Sequence, residues 1–246
     1  MTAWKVYVFC VLISAVVASW VAVPISAEQQ APKIQQEVEH SLRGGDFKRI
    51  QVSVAGSEVT LSGTVPHLLA KNRAIERTLE VSGIDTVASE LELPVEEEDA
   101  DIAAEVAKEI SRYPHFTIWD YIDGSIEQGV VTLHGSVTPN RDKKRELYER
   151  IAKVRGVQDY KDDIEVQSTS SADNRLREII GRKLLSSQHF DRTVRMRNPP
   201  YHIVVNLSSV TLRGYVQSEI EYRELEQIIR QTQGILNVDN QLQVLR

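Results

Sequence analysis

The chain has 246 residues, 41% of them hydrophobic and 26% charged, the ordinary balance of a folded globular protein, which excludes a chain disordered throughout. Its formal net charge of −6 provides no field to attract nucleic acid. The one cysteine is Cys10, so the chain beyond it can form neither a disulfide nor a thiolate metal site and must be held by packing alone.

Residues 1–27 carry a single cation, Lys5, and no further charge appears before Glu28. A short basic start, an apolar run and the small pair Ser26-Ala27 have the layout of a secretory signal cleaved after Ala27, so the mature chain is expected to be exported. About 20 uncharged residues are also enough to span a bilayer, so the alternative is an uncleaved anchor in the inner membrane.

From there the pattern repeats. Ile34, Val38 and Leu42 share one face of a first helix; Ile50, Val52 and Val54 alternate as a strand; AGSE makes a turn, and VTLSGTV, residues 59–65, forms the returning strand. A helical stretch then runs toward Gly83, and TVASELEL closes the unit as a third strand. Two near copies of the central phrase follow, VTLHGSV at 131–137 and VTLRGYV at 210–216, spaced by 72 and 79 residues. Such spacings are close to the smallest length that folds unaided, so they predict three tandem domains rather than a solenoid.

The second unit opens with DIAAEVAKEISRY, whose Ile102, Val106, Ile110 and Tyr113 share a face, and has Leu147, Ile151 and Val154 on its second helix before Gly156. The third has Leu176, Ile180 and Leu184, then a strand with Tyr201, Ile203 and Val205, and closes after Gly234. Each late glycine reads as a helix C-cap, and each closing strand should lie parallel to the phrase strand. Gly63, Gly135 and Gly214, inside the phrase, leave room for a bulge or a close backbone approach.

The fold class predicted is α+β: three small two-layer sandwiches, each helix-strand-strand-helix-strand with a three-stranded mixed sheet. Their bounds are 33–95, 101–167 and 173–246. An acidic run, Pro94 to Asp99, and a serine-rich run, Ser168 to Ala172, divide them and read as solvated linkers that restrict the domains without fixing their angles.

No nucleotide-loop, zinc-helix or nucleophile-elbow spacing occurs, so no catalytic, cofactor or metal residue is assigned. His40, His67, His115, His134, His189 and His202 fall at unmatched positions and read as surface or hairpin polar groups. Asp162 and Asp163, adjacent on a strand, point to opposite faces and read as charge guarding a sheet edge. Asn206-Leu207-Ser208 reads as a turn.

Charge distribution says more. The third unit carries about three more cations than acids, with Arg182, Lys183, Arg192, Arg195, Arg197 and Arg213 among them. Arg192, Arg195 and Arg197, beside Pro199, Pro200 and Tyr201, suit a loop that meets anionic head groups with guanidinium forks and an interfacial aromatic.

The order of elements, the VTL-x-G-x-V strand and the helix ending in Gly-Val or Gly-Ile resemble the BON domain family, in three copies from about Lys33 to Arg246. The third copy departs in its long connection HFDRTVRMRNPPY. The resemblance implies an exported, non-enzymatic protein of the periplasm or cell envelope of a bacterium that binds phospholipid or membrane-associated components to maintain the envelope under osmotic or other stress. It transfers no ligand-contacting residue. The partners expected are therefore an anionic phospholipid surface or envelope proteins, with a periplasmic chaperone or protein scaffold as the alternative.

Overall fold

The structure, a computed structural model, describes residues 26–94 and 97–245; the expected signal segment lies almost wholly outside them. No helix among the described residues is long and apolar enough to cross a membrane. The same circuit is drawn three times. It runs α1 (Ser26–Ser41), β1 (Ile50–Ala55), β2 (Glu58–Thr64), α2 (Leu68–Leu79) and β3 (Thr86–Glu92) in the first unit. The second has α3 (Asp99–Ser111), β4 (Tyr121–Glu127), β5 (Val130–Val137), α4 (Lys143–Ile151) and β6 (Asp159–Val166). The third has α5 (Ser171–Leu185), β7 (Tyr201–Asn206), β8 (Ser209–Val216), α6 (Glu219–Arg230) and β9 (Asn237–Val244). In every unit the phrase strand is central, antiparallel to its hairpin partner and parallel to the closing strand. Both helices cover one face of the sheet, where Leu61, Leu133 and Leu212 are buried among residues such as Val38 and Ala74, Val106 and Leu147, or Ile180 and Leu225. Three α+β sandwiches result, as the periodicity predicts.

The phrase glycine is explained by close approach and not by a bulge, because pairing with the hairpin strand reaches it, and pairing with the closing strand runs past it, without skipping a residue. A Cβ on Gly63, Gly135 or Gly214 would lie 2.1, 2.1 or 2.3 Å from the carbonyl oxygen of Arg49, Tyr121 or Pro200. The late glycines do have positive φ, yet they are not the helix caps expected. The helices end at Leu79, Ile151 and Arg230, are capped by Glu80, Ala152 and Gln231, and one more turn follows before Gly83, Gly156 or Gly234.

A carboxylate at the start of two helices holds the hairpin turn beside it. Asp99 accepts the N–H groups of Gln128 and Gly129, both at 2.9 Å, and Asp173 those of Leu207 and Ser208, at 2.9 and 2.8 Å. These turn residues all have positive φ, which suits the right-handed twist of a two-residue hairpin turn. The corresponding position in the first unit is Ala31, judged by Ile34, Ile102 and Leu176 each lying against the late glycine of its unit.

The units are not loosely strung. Leu68 and Leu69, from α2, belong to the core of the second unit, and Leu69 N–H donates to the Ala152 carbonyl at 2.9 Å. Ile118, in the loop before β4, is buried in the core of the third unit, and its carbonyl accepts from Ile203 N–H at 2.7 Å. The serine-rich run is likewise structural and not a solvated spacer. Gln167, just before it, is buried and donates to the Trp119 carbonyl at 2.7 Å, Ser168 N–H donates to Asn206, and Ser170 caps α5.

The loop bearing Ile118 and Trp119 is pinned by a buried ion pair. Lys143 Nζ lies 2.7 and 2.8 Å from the carboxylate oxygens of Asp120, with both side chains inaccessible. The hydroxyl and N–H groups of both Thr117 and Thr138 complete the carboxylate's partners. At the opposite edge, β6 is an outer strand, and its Asp162 pairs with Lys144 at 3.3 Å.

Candidate functional site

The basic residues of the third unit separate into two groups once folded. Arg182 lies in the last turn of α5, on its exposed side, and the connection from α5 to β7 makes a single 3-10 turn, Thr193–Arg195, that sets Arg195 opposite it. Together they line a groove of about 490 Å³. Arg192 and Arg197 are exposed on the same connection. Among the described residues, no salt bridge uses Arg182, Arg192, Arg195 or Arg197. Two large apolar side chains accompany them at the surface, Leu185 at 42% and Met196 at 50% exposure.

The remaining expected residues lie elsewhere or are spent on packing. Tyr201 is a correction: only 1% exposed, it packs edge-on against Phe190 and shares a hydrogen bond with Thr193 Oγ1 at 2.7 Å. Burial pushes its hydroxyl up to about 12, so it serves the core and is no interfacial aromatic. Lys183 donates to the Gln231 carbonyl and to Thr232 Oγ1, at 3.0 and 2.8 Å, tying α5 to the end of α6. Arg213 stacks over the Tyr121 ring at 4.8 Å and faces a different cleft, between the outer faces of the second and third sheets, with His134, Ser136 and Asp163.

A larger concavity, about 760 Å³, lies between α3 and α4. Its charges neutralise one another: Arg141 pairs with Glu146 at 2.6 Å and Arg150 with Glu109 at 3.1 Å. Among the described residues no group of three His, Cys, Asp or Glu is placed to hold a metal. His67 is not a free surface group, since its Nδ1 accepts from Ala70 N–H at 3.1 Å and caps α2. His202 is half-buried in the seam between the second and third units, where desolvation holds its imidazole below the usual value despite Asp120 nearby.

The BON domain family model matches residues 26–94, 98–168 and 172–246. The chain belongs to the BON domain family. BON domains occur in envelope-associated proteins, and the family is not an enzymatic one. Two solved structures of CdsD, the structural protein of the type III secretion system of Chlamydia trachomatis, one of them its C-terminal domain, overlap it. They are 14% and 15% identical, cover 86% and 87% of this chain and 96% and 92% of their own, and superpose at a TM-score of 0.24. An overlap of that size says nothing of what this chain does. No curated protein matches it.

Two residues of the groove escaped sequence reasoning, and both depend on how the BON domains meet. Arg177 stands three residues before Ile180 and seven before Leu184, so the helical period puts it on the buried face of α5, a signal that was available. It is 8% exposed in the third BON domain and donates to Asn174, to Gln167 and to the Val205 carbonyl, at 2.8, 2.9 and 2.6 Å. Trp119 comes from the second BON domain and reaches the wall of a groove in the third. Nothing local in its sequence announces that.

Proposed function

We propose that this chain is a non-enzymatic protein of the bacterial cell envelope that holds its third BON domain against an anionic phospholipid surface and so helps to maintain the envelope under stress. The single observation supporting this reading is the exposed set Arg182, Arg192, Arg195 and Arg197, without acidic partners among the described residues and flanked by exposed Leu185 and Met196. Guanidiniums suit phosphodiesters, and apolar side chains between them can enter the head-group layer. The apolar residues 6–27, read as an export signal, are consistent with a periplasmic location.

Co-sedimentation with liposomes tests it. Each arginine near an anionic surface contributes about 1 kcal/mol, so changing Arg192, Arg195 and Arg197 together to Gln should weaken binding on the order of a hundredfold in low salt. Raised salt should weaken the parent, and neutral liposomes should bind poorly throughout. Equal binding of parent and triple variant to anionic liposomes would sink the proposal.

A protein-holding role is the second reading. Leu207 and Leu236, the latter donating its N–H to the Ser208 carbonyl beside the hairpin turn, are both well exposed where the other BON domains place Gly56 with Asp85 and Gln128 with Gln158. Suppression of client aggregation without lipid, lost when both leucines become serine, would favour it.

A further inference from the structure

An arginine almost wholly withdrawn from water normally has a carboxylate beside it, because burying an unpaired charge is expensive. Arg177 has none within 4.0 Å among the described residues. The nearest acids are already engaged, Asp120 by Lys143 and Asp173 by the hairpin turn. Three neutral oxygens occupy part of its donor set, and its Nε is buried with no partner. The same side chain forms the inner wall of the groove whose rim carries Arg182 and Arg195. Among the described residues Glu178 is the one carboxylate lining that groove, against three guanidiniums.

The floor is shaped for an occupant. Gly181 sits in the middle of α5, where glycine costs about 1 kcal/mol relative to alanine. The corresponding residues of α1 and α3 are Glu39 and Ala107. The nearest atom to a Cβ there would be Trp119 Cζ2, at 3.5 Å, so glycine is not demanded by crowding and leaves the groove open beneath the indole.

We propose that this groove binds a phosphate group, presented by a soluble monoester or by a lipid head group, between the guanidiniums of Arg177, Arg182 and Arg195 with Trp119 as a wall. Geometry alone supports the site; only the lipid as the source of the phosphate rests on the function proposed above. The site spans two BON domains, since Trp119 is contributed by the second, and an isolated third domain lacks that wall.

The test uses the full chain and glycerol 3-phosphate, with sodium chloride of equal ionic strength as control. Tryptophan emission is followed in the parent and in Trp119→Phe, which separates Trp119 from Trp4 and Trp20. A saturable change that vanishes in Trp119→Phe is expected, weakened about tenfold by Arg182→Gln and again by Arg195→Gln, the loss typical of one charge-assisted contact. Since Arg177 also anchors Gln167 and β7, its replacement is not used. Gly181→Leu fills the groove while favouring the helix, and should abolish the response with the fold intact by circular dichroism.

No saturable response in the parent, or an undiminished one in Gly181→Leu, overturns the proposal. Phosphatidate vesicles identify the source. Displacement of the protein from them by glycerol 3-phosphate places a lipid head group in the groove. Soluble binding without vesicle binding keeps the groove and removes the lipid-surface reading. Vesicle binding without any soluble response keeps that reading and removes the groove.

Discussion

At the residue scale, the contacts that matter most are those that water cannot replace. The exposed pair Arg145–Glu149, with side chains 73% and 35% accessible, adds a few tenths of a kcal/mol at most. Asp120 and Lys143 are inaccessible, so removal of one leaves the other buried and unpaired. Lys143→Met should lower the stability of the second domain by about 3–5 kcal/mol in urea unfolding, while replacing both with apolar residues of similar volume should cost much less. If the single and double variants unfold alike, the pair is not acting as a buried ion pair. The phrase glycine belongs to this scale too, because its requirement comes from one carbonyl oxygen about a bond length and a half from where a Cβ would stand.

At the scale of elements, each hairpin is joined to the helix ahead of it, and in two units the joint is a carboxylate. Burial of Asp173 pushes its carboxyl up, but hydrogen bonds from Ser208 and Leu207 outweigh this and hold it below the ordinary 3.8. A depressed carboxyl contributes stability that is fully present above the unfolded pKa and is lost as pH falls through the folded one. The thermal stability of the third domain should therefore fall on acidification below about pH 4, and Asp173→Asn should flatten that part of the profile. A variant with the parent's acid dependence would show that the clamp is unimportant. The first unit, with Ala31 at this position, has no such joint to lose.

At the scale of the whole molecule, the cores interlock. Leu133 lies beneath the second sheet, and Leu133→Ala should cost about 2–5 kcal/mol, a large share of what so small a domain possesses. Independent domains would confine the damage to the second unit. Here the loop that carries Ile118 into the third core is held by Asp120, Thr138 and Lys143 of the second, so loss of hydrogen-exchange protection should extend to β7. Protection lost only in β4, β5 and β6 would mean that the seam holds without the second core.

What the sequence determined by itself is whatever repeats locally. A period of two, a period of 3.6 and a seven-residue phrase written three times set the order of elements, the inward leucines and the central strand, because side-chain direction follows backbone period within one element. The serine-rich run misled for the same reason: composition describes a segment's own solubility, not what lies next to it. Only tertiary structure decided which surfaces meet. It buried Tyr201, spent Lys183 on the end of α6, separated Arg213 from the other arginines, and brought Trp119 of one BON domain to Arg177 and Arg195 of the next. Those outcomes depend on contacts between different elements, most of them tens of positions apart, whose energies arise from shared burial and charge and leave no period in the chain.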